Sequence, residues 1–105
     1  MEHLSYTVTA PRAAGGTRRQ AIIGVVASGN LEVLAERVLA TDTCTVDIAT
    51  AARGFAPVWQ AVIADFVALR AAGGLRLSNN DGGARPDTVA LRLAQVVRLI
   101  EEPEA

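Results

Sequence analysis

The sequence predicts an α+β fold, in which a small mixed or antiparallel sheet of about five strands has two helices packed on one face. Two hydrophobic patterns support this prediction. Apolar and polar residues alternate at 4–9 and again at 43–49, which is typical of half-buried strands. Apolar residues with helical spacing occur at 55–69 and 89–100. The order of these segments along the chain favours one sheet covered by helices.

The first strand is predicted from the alternation of Leu4, Tyr6 and Val8 with polar residues, and Pro11 ends it. Residues 11–20 are rich in glycine, alanine and arginine and predict an exposed, flexible loop. The apolar, β-branched run at 21–27 predicts a central strand buried on both faces. Within it, Gly24 indicates a bulge or a close approach of two backbones.

The segment 31–39 fits two structures. Its apolar residues have helical spacing, with Asn30 as a possible N-cap, and this periodicity slightly favours a helix. The same segment also fits a strand that continues a hairpin with the preceding run. The next segment is simpler, because at 43–49 one face of a strand is apolar (Cys44, Val46 and Ile48) and the other is polar.

A helix is predicted after Phe55, with Pro57 in its first turn and Gly73-Gly74 as its C-terminal stop. Its stripe includes Trp59 and Phe66, which we predict to be core residues. A short strand at 75–78 is then ended by the polar turn 79–83. Asp87 is the predicted N-cap of a final helix at 87–102, although the alternation at 89–93 leaves a strand possible.

Composition restricts the classes of function. The 105 residues, 50% hydrophobic, predict a single domain over 1–105 with a tail at 103–105. A net charge of -1 argues against nucleic-acid binding, and the longest uncharged stretch is too short to span a bilayer. We therefore predict no nucleic acid, no membrane and a cytoplasmic location. One cysteine, Cys44, and one histidine, His3, exclude an internal disulfide and a shared metal site.

Catalytic motifs are missing from the sequence, so we assign no catalytic residue and no metal ligand. The single histidine is in the terminal tail, where we do not expect it to reach a buried serine, and no lysine is present for a phosphate-binding loop. One candidate remains, which is Ser28 in the turn Ser28-Gly29-Asn30. Such a serine is either a simple turn residue or a site of covalent modification, because an exposed hydroxyl on a turn can enter another enzyme's active site.

The residues around Ser28 resemble a known family. The stretch 24–34 (G-V-V-A-S-G-N-L-E-V-L) is similar to the Ser-Gly-Asp-(Leu/Met)-Glu-Val-Leu segment of the malonate decarboxylase acyl carrier protein, or delta subunit. Three further blocks resemble the same family in the same order: M-E-H-L-S-Y at 1–6, V-W-Q-A at 58–61, and L-R-L-S-N-N-D with G-A-R-P and V-A-L-R-L-A-Q at 75–95. The resemblance favours a strand for 31–39.

This resemblance implies that Ser28 carries 2'-(5''-phosphoribosyl)-3'-dephospho-coenzyme A through a phosphodiester, with Ala27, Gly29 and Asn30 as the flanking turn. It implies a non-catalytic carrier of acetyl and malonyl thioesters, from which other subunits form acetate and CO2. The implied partners are the transferase and decarboxylase subunits, a prosthetic-group transferase and a malonyl transferase.

Two positions beside Ser28 depart from the family pattern, which usually has Gly in place of Ala27 and Asp in place of Asn30. Asn30 removes a charge but keeps a side-chain acceptor and a preference for turns. Two alternative functions stay open: a carrier of the citrate lyase type, and a non-carrier structural or interaction subunit. Three arginines are interpreted as solvated charges and not as phosphate contacts: Arg18, Arg19 and Arg37.

Overall fold

A computed structural model describes residues 1–103 of the chain. It contains five strands and two helices: β1 (Glu2–Thr9), β2 (Gln20–Gly24), β3 (Leu31–Arg37), β4 (Thr43–Thr50), α1 (Ala56–Leu69), β5 (Leu75–Asp81) and α2 (Pro86–Glu101). The strands form one sheet in the order β1-β4-β5-β3-β2. Only the pair β4 and β5 is parallel, because α1 connects these two strands and returns the chain to the same edge.

One face of the sheet carries the hydrophobic core. Alternate residues of β3, β4 and β5 point to this face and are buried, among them Val33, Val46 and Leu77. Both helices cover it: α2 packs against β2 and β3, and α1 packs against α2. The predicted stripes supply the helical part of the core, which comprises Trp59, Ile63, Phe66, Val67, Val89, Leu93, Val96, Val97 and Ile100. The prediction that Trp59 and Phe66 belong to the core is confirmed.

The opposite face of the sheet is polar and its side chains are hydrogen-bonded across strands. Ser5 donates to Asp47 at 2.6 Å, and Arg76 donates to Glu36 through two nitrogens at 3.0 and 3.2 Å. This division of the faces explains the alternation in the sequence. The predicted α+β class, with helices on one face, is confirmed.

The prediction that 21–27 forms a central strand buried on both faces is wrong. The strand is shorter, and it lies at the edge of the sheet, where Ile22 is 57% exposed. A run of β-branched residues shows a preference for strand but does not show how many neighbours the strand will have. The close backbone approach expected at Gly24 is present, because a Cβ there would overlap the carbonyl oxygen of Leu31.

Segment 31–39 forms a strand over Leu31–Arg37, which agrees with the resemblance and not with the slight helical periodicity. Leu31, Val33 and Ala35 are fully buried against the helices. Leu34 faces the other side of the sheet and pairs with the exposed Ile22 of β2. An apolar residue on each face produces spacings of three and four, and these imitate a helix.

Three element ends differ from the predicted ends. Helix α1 ends at Leu69 and not at Gly73-Gly74, because Arg70 is extended (φ -122, ψ 148), a conformation that requires no glycine. Strand β5 continues through Asn79 and Asp81, which are buried strand residues and not part of the predicted polar turn. Helix α2 begins at Pro86, so Asp87 lies inside its first turn and is not the N-cap. The helical alternative for the last segment is correct.

The long connection between β1 and β2 is hydrogen-bonded to backbone carbonyls of other parts of the chain. Ala14 donates to the carbonyl of Gly73 at 2.9 Å, and Arg12 and Arg18 donate to carbonyls at the ends of the helices. The flexibility predicted for residues 11–20 stays a prediction, as does the single domain over 1–105. Of the predicted tail at 103–105, residues 104–105 lie outside the described residues. Neither helix of the described residues is long and apolar enough to cross a membrane.

Candidate functional site

Ser28 lies in a four-residue turn that joins β2 to β3. The N–H of Asn30 donates to the carbonyl of Ala27 at 3.0 Å, which closes the turn. Gly29, its third residue, has a φ of 75°. A positive φ at this position is required by a type II turn and favours glycine. The sequence Ala27-Ser28-Gly29-Asn30 therefore encodes its own turn, with Ser28 at the first central position.

The Ser28 side chain is accessible. Ser28 and its neighbours from Val25 to Gly29 are exposed. The hydroxyl makes no side-chain hydrogen bond within the described part of the chain. No atom outside residues 28–30 lies within 4 Å of where a Cβ of Gly29 would be, so the space beside the turn is open. An approaching enzyme can reach this hydroxyl without breaking an existing hydrogen bond.

The turn is exposed but firmly anchored to the connection between β5 and α2. The N–H of Gly29 donates to the carbonyl of Gly82 at 2.9 Å, and the N–H of Gly82 donates to the carbonyl of Asn30 at 2.8 Å. A Cβ on Gly82 would overlap the carbonyl oxygen of Ala27. Only glycine allows the two backbones to approach this closely. The position of Ser28 is thus fixed by a residue 54 positions further along the chain.

A buried polar group supports this anchor. The carboxylate of Asp81 accepts the hydroxyl of Thr50 at 2.7 Å and the N–H of Ala84 at 2.8 Å. Thr50 is fully buried and Asp81 is 5% exposed. These hydrogen bonds satisfy the carboxylate and hold the end of β5, and with it Gly82, next to the Ser28 turn. Asp81 was predicted to lie in a polar turn, and its burial could not be read from the local sequence.

The structure brings one arginine to the turn, and the sequence analysis did not select it. Arg92 of α2 donates from Nε to the side-chain oxygen of Asn30 at 3.4 Å. Its Nη1 donates to Gln95 at 2.8 Å. Asn30 uses the same oxygen to accept the N–H of Leu31 at 2.8 Å. Arg92 follows Asn30 by 62 residues, so no local pattern indicated this contact.

Arg37 and Arg18, which the sequence raised as alternatives for phosphate contacts, do not lie at the Ser28 turn. Arg37 ends β3, and six residues of extended strand place it about 20 Å from the Ser28 turn. Its guanidinium donates to the carbonyls of Ala14, Gly15, Arg18 and Ile100 at 2.7–3.3 Å. Arg18 donates to the carbonyl of Leu99 at 3.3 Å. The interpretation of Arg37 as a solvated charge is therefore wrong, since it holds backbone carbonyls together.

Cys44, the single thiol, is not part of the site. It is fully buried in β4, and burial raises the pKa of its thiol to about 11. A protonated, buried thiol is a poor nucleophile and metal ligand. Its predicted role as a small core residue is confirmed. No group of three or more His, Cys, Asp or Glu side chains within residues 1–103 is placed to hold a metal ion.

Fold and site together define a class of small α+β domain that presents one accessible serine on a turn anchored to the helical layer. Comparisons with known proteins identify the family. The family model described as malonate decarboxylase delta subunit (MdcD) matches residues 18–100. The malonate decarboxylase acyl carrier protein of Bradyrhizobium diazoefficiens is 62% identical, over 97% of each chain. The protein of the same name from Xanthomonas axonopodis pv. citri is 47% identical over the full length of both.

A solved structure agrees with the sequence relatives. One chain in the crystal structure of a Pseudomonas malonate decarboxylase hetero-tetramer in complex with malonate is 32% identical and superposes with a TM-score of 0.83. The match covers 95% of this chain and 99% of that one. The chain belongs to the malonate decarboxylase delta subunit, or acyl carrier protein, family. The resemblance seen in the sequence is thereby confirmed.

Proposed function

We propose that this chain is the acyl carrier subunit of a malonate decarboxylase and that Ser28 is its attachment site. The observation that carries the proposal is the exposed Ser28 hydroxyl on a turn fixed by Gly82, within a family whose members are named acyl carrier proteins. Ala27, Gly29 and Asn30 form the turn that presents the hydroxyl. The carrier itself is non-catalytic and acts in the cytoplasm.

The proposed group is 2'-(5''-phosphoribosyl)-3'-dephospho-coenzyme A. The residues at the turn fit a group linked through phosphate: the hydroxyl is accessible, the space beside Gly29 is open, and a cationic side chain, Arg92, lies next to Asn30. In the attachment, a bond forms between the Ser28 oxygen and the phosphorus of a phosphoanhydride donor, the anhydride P–O bond breaks to release the terminal phosphate portion of the donor, and the hydroxyl proton passes to solvent. A prosthetic-group transferase supplies that donor.

The bound group would supply a thioester, which stabilises the enolate left when CO2 departs from a malonyl group. The role of this chain is to present that thioester to its partners. These are the transferase and decarboxylase subunits of the complex, together with a malonyl transferase. A covalent tether raises the effective concentration of the acyl group at each successive active site.

Intact-mass analysis after co-expression with the chain's own prosthetic-group transferases tests the proposal. We expect a discrete mass increase matching the proposed group, located on the Ser28 peptide. Ser28→Ala should lose the modification completely while remaining folded. Ser5→Ala is the matched control and should keep the modification. Ser5 is also exposed, but it lies on the open face of the sheet and is hydrogen-bonded to Asp47.

Two results would contradict the proposal. Modification that persists in Ser28→Ala would place the attachment elsewhere. An unmodified chain, in cells where a relative from the same family is modified, would favour a structural subunit. A mass increase matching a different coenzyme-A-like group would retain the carrier role and reject the proposed cofactor.

A further inference from the structure

Arg92 is placed beside Asn30, in the turn that contains Ser28, by the packing of α2 against β2 and β3. Its Nε lies 3.4 Å from the Asn30 oxygen and would lie 3.4 Å from a Cβ at Gly24. Asn30 and Ser28 share one turn, whose first and last Cα atoms are less than about 7 Å apart. The guanidinium therefore lies at the same turn as the Ser28 hydroxyl.

The charge of Arg92 is not neutralised by the residues that hold it. Its two partners, Asn30 and Gln95, are uncharged amides. Between residues 1 and 103 the ion pairs join Arg76 to Glu36 and Arg85 to Asp87, and none includes Arg92. Of the five N–H donors of a guanidinium, two are used here, and three remain.

These contacts orient the arginine and leave three of its donors and its charge available. A guanidinium with fixed geometry, unpaired charge and remaining donors is suited to a phosphate, which it can bind through two parallel hydrogen bonds. Arg37 provides the contrast inside the same molecule, since its guanidinium donates to four carbonyls. Arg98, also on α2, is exposed.

We propose that Arg92 binds the phosphate that joins the prosthetic group to Ser28, and that Asn30 and Gln95 hold its guanidinium in place for this contact. The proposal rests on the proposed function, because it requires a phosphodiester on Ser28. Arg92 is a positioning residue for the base of the arm: it restricts the first bonds of the arm and directs it away from the turn.

The first test uses the unaltered chain and needs no activity measurement. Arginine side-chain NH signals are compared by NMR between the apo-protein and the holo-protein, whose loading is verified by intact mass. We expect Arg92 Nη–H signals to move downfield on loading, because the free donors are on these nitrogens, while the Arg98 signals stay unchanged. A loaded chain with an unchanged Arg92 signal would overturn this proposal and leave the proposed function intact. A chain that is never loaded would overturn both.

Variants provide an independent test through the melting temperature. Loading should raise the Tm of the unaltered chain by about 3 °C, the size expected for a partly exposed ionic contact in a small domain. This difference between the loaded and unloaded forms should vanish in Arg92→Gln, remain in part in Arg92→Lys, and be unchanged in Arg98→Gln. An equal Tm difference in Arg92→Gln and the unaltered chain would contradict a phosphate contact.

Discussion

The two ends of β5 are anchored by the same backbone arrangement but differ in what their side chains leave available. At one end, Gly73 exchanges two hydrogen bonds of 2.9 Å with the segment containing Arg12 and Ala14. At the other, Gly82 exchanges hydrogen bonds of 2.9 and 2.8 Å with Gly29 and Asn30. We call the first the Arg37 end (residues 11–19, 37 and 73) and the second the Ser28 end (residues 27–30, 82 and 92).

The arginines distinguish the ends. At the Arg37 end, the guanidinium is occupied by four backbone carbonyls. At the Ser28 end, Arg92 has two amide partners. Backbone hydrogen bonds give both ends a defined position. The number of guanidinium donors already used then distinguishes them: Arg37 stabilises the fold, whereas Arg92 keeps donors with which it can bind a ligand. The predictions below test this distinction.

The largest difference is expected between Arg37→Ala and Arg92→Ala. Removing the Arg37 guanidinium leaves four carbonyls without their donors and should lower the free energy of unfolding by about 3 kcal/mol. Arg92→Ala should cost less than about 1 kcal/mol, because its amide partners can turn to water. Urea denaturation of both variants measures the difference. Arg53→Ala, at an exposed position, is the control and should change stability by no more than about 0.5 kcal/mol. Equal losses for Arg37→Ala and Arg92→Ala would remove the distinction between the ends.

A smaller effect is expected at the two glycines of the Ser28 end. Gly82→Ala introduces a Cβ against the carbonyl of Ala27, so the turn must shift, at a cost of about 2 kcal/mol. In Gly29→Ala the added Cβ has no close contact outside residues 28–30. The positive φ alone should lower the free energy of unfolding, by about 1 kcal/mol. Amide hydrogen exchange at Asn30 should accelerate in Gly82→Ala more than in Gly29→Ala. The reverse order would show that the turn does not depend on its contact with Gly82.

The last effect appears only at alkaline pH and concerns the core beside the Arg37 end. Thr43 precedes Cys44 in β4, and its carbonyl oxygen accepts the N–H of Gly74 at 2.8 Å. Burial raises the pKa of the Cys44 thiol from 9.0 to about 11, so between these values the unfolded chain loses a proton that the folded chain keeps. Stability should therefore fall as pH rises from 9 to 11, by about 1.4 kcal/mol per unit. Cys44→Ala should lack this part of the slope in urea denaturation. Parallel slopes would show that the thiol is accessible to water.

The Ser28 turn illustrates what local sequence predicts well. A serine, a glycine and an asparagine after an apolar strand encode a turn because glycine adopts a positive φ without steric cost. The structure has this turn, closed between Ala27 and Asn30. Arg92 illustrates the opposite case: a helical pattern placed it on α2 but did not indicate which loop that helix would meet. The same limit applies to β2, whose composition predicted a strand but not its place at the edge of the sheet.

By itself, the sequence determined most of the elements, the faces of β1, β4 and the two helices, the α+β class and the turn that presents Ser28. These features depend on steric preferences and periodicities that act over a few neighbouring residues. The tertiary structure alone decided the strand order, the burial of Asp81 and the anchoring of the Ser28 turn by Gly82. It also decided that Arg92, and not Arg37, contacts Asn30 of that turn. Each of these depends on residues tens of positions apart, whose meeting is selected by the packing of the whole core and not by any local pattern.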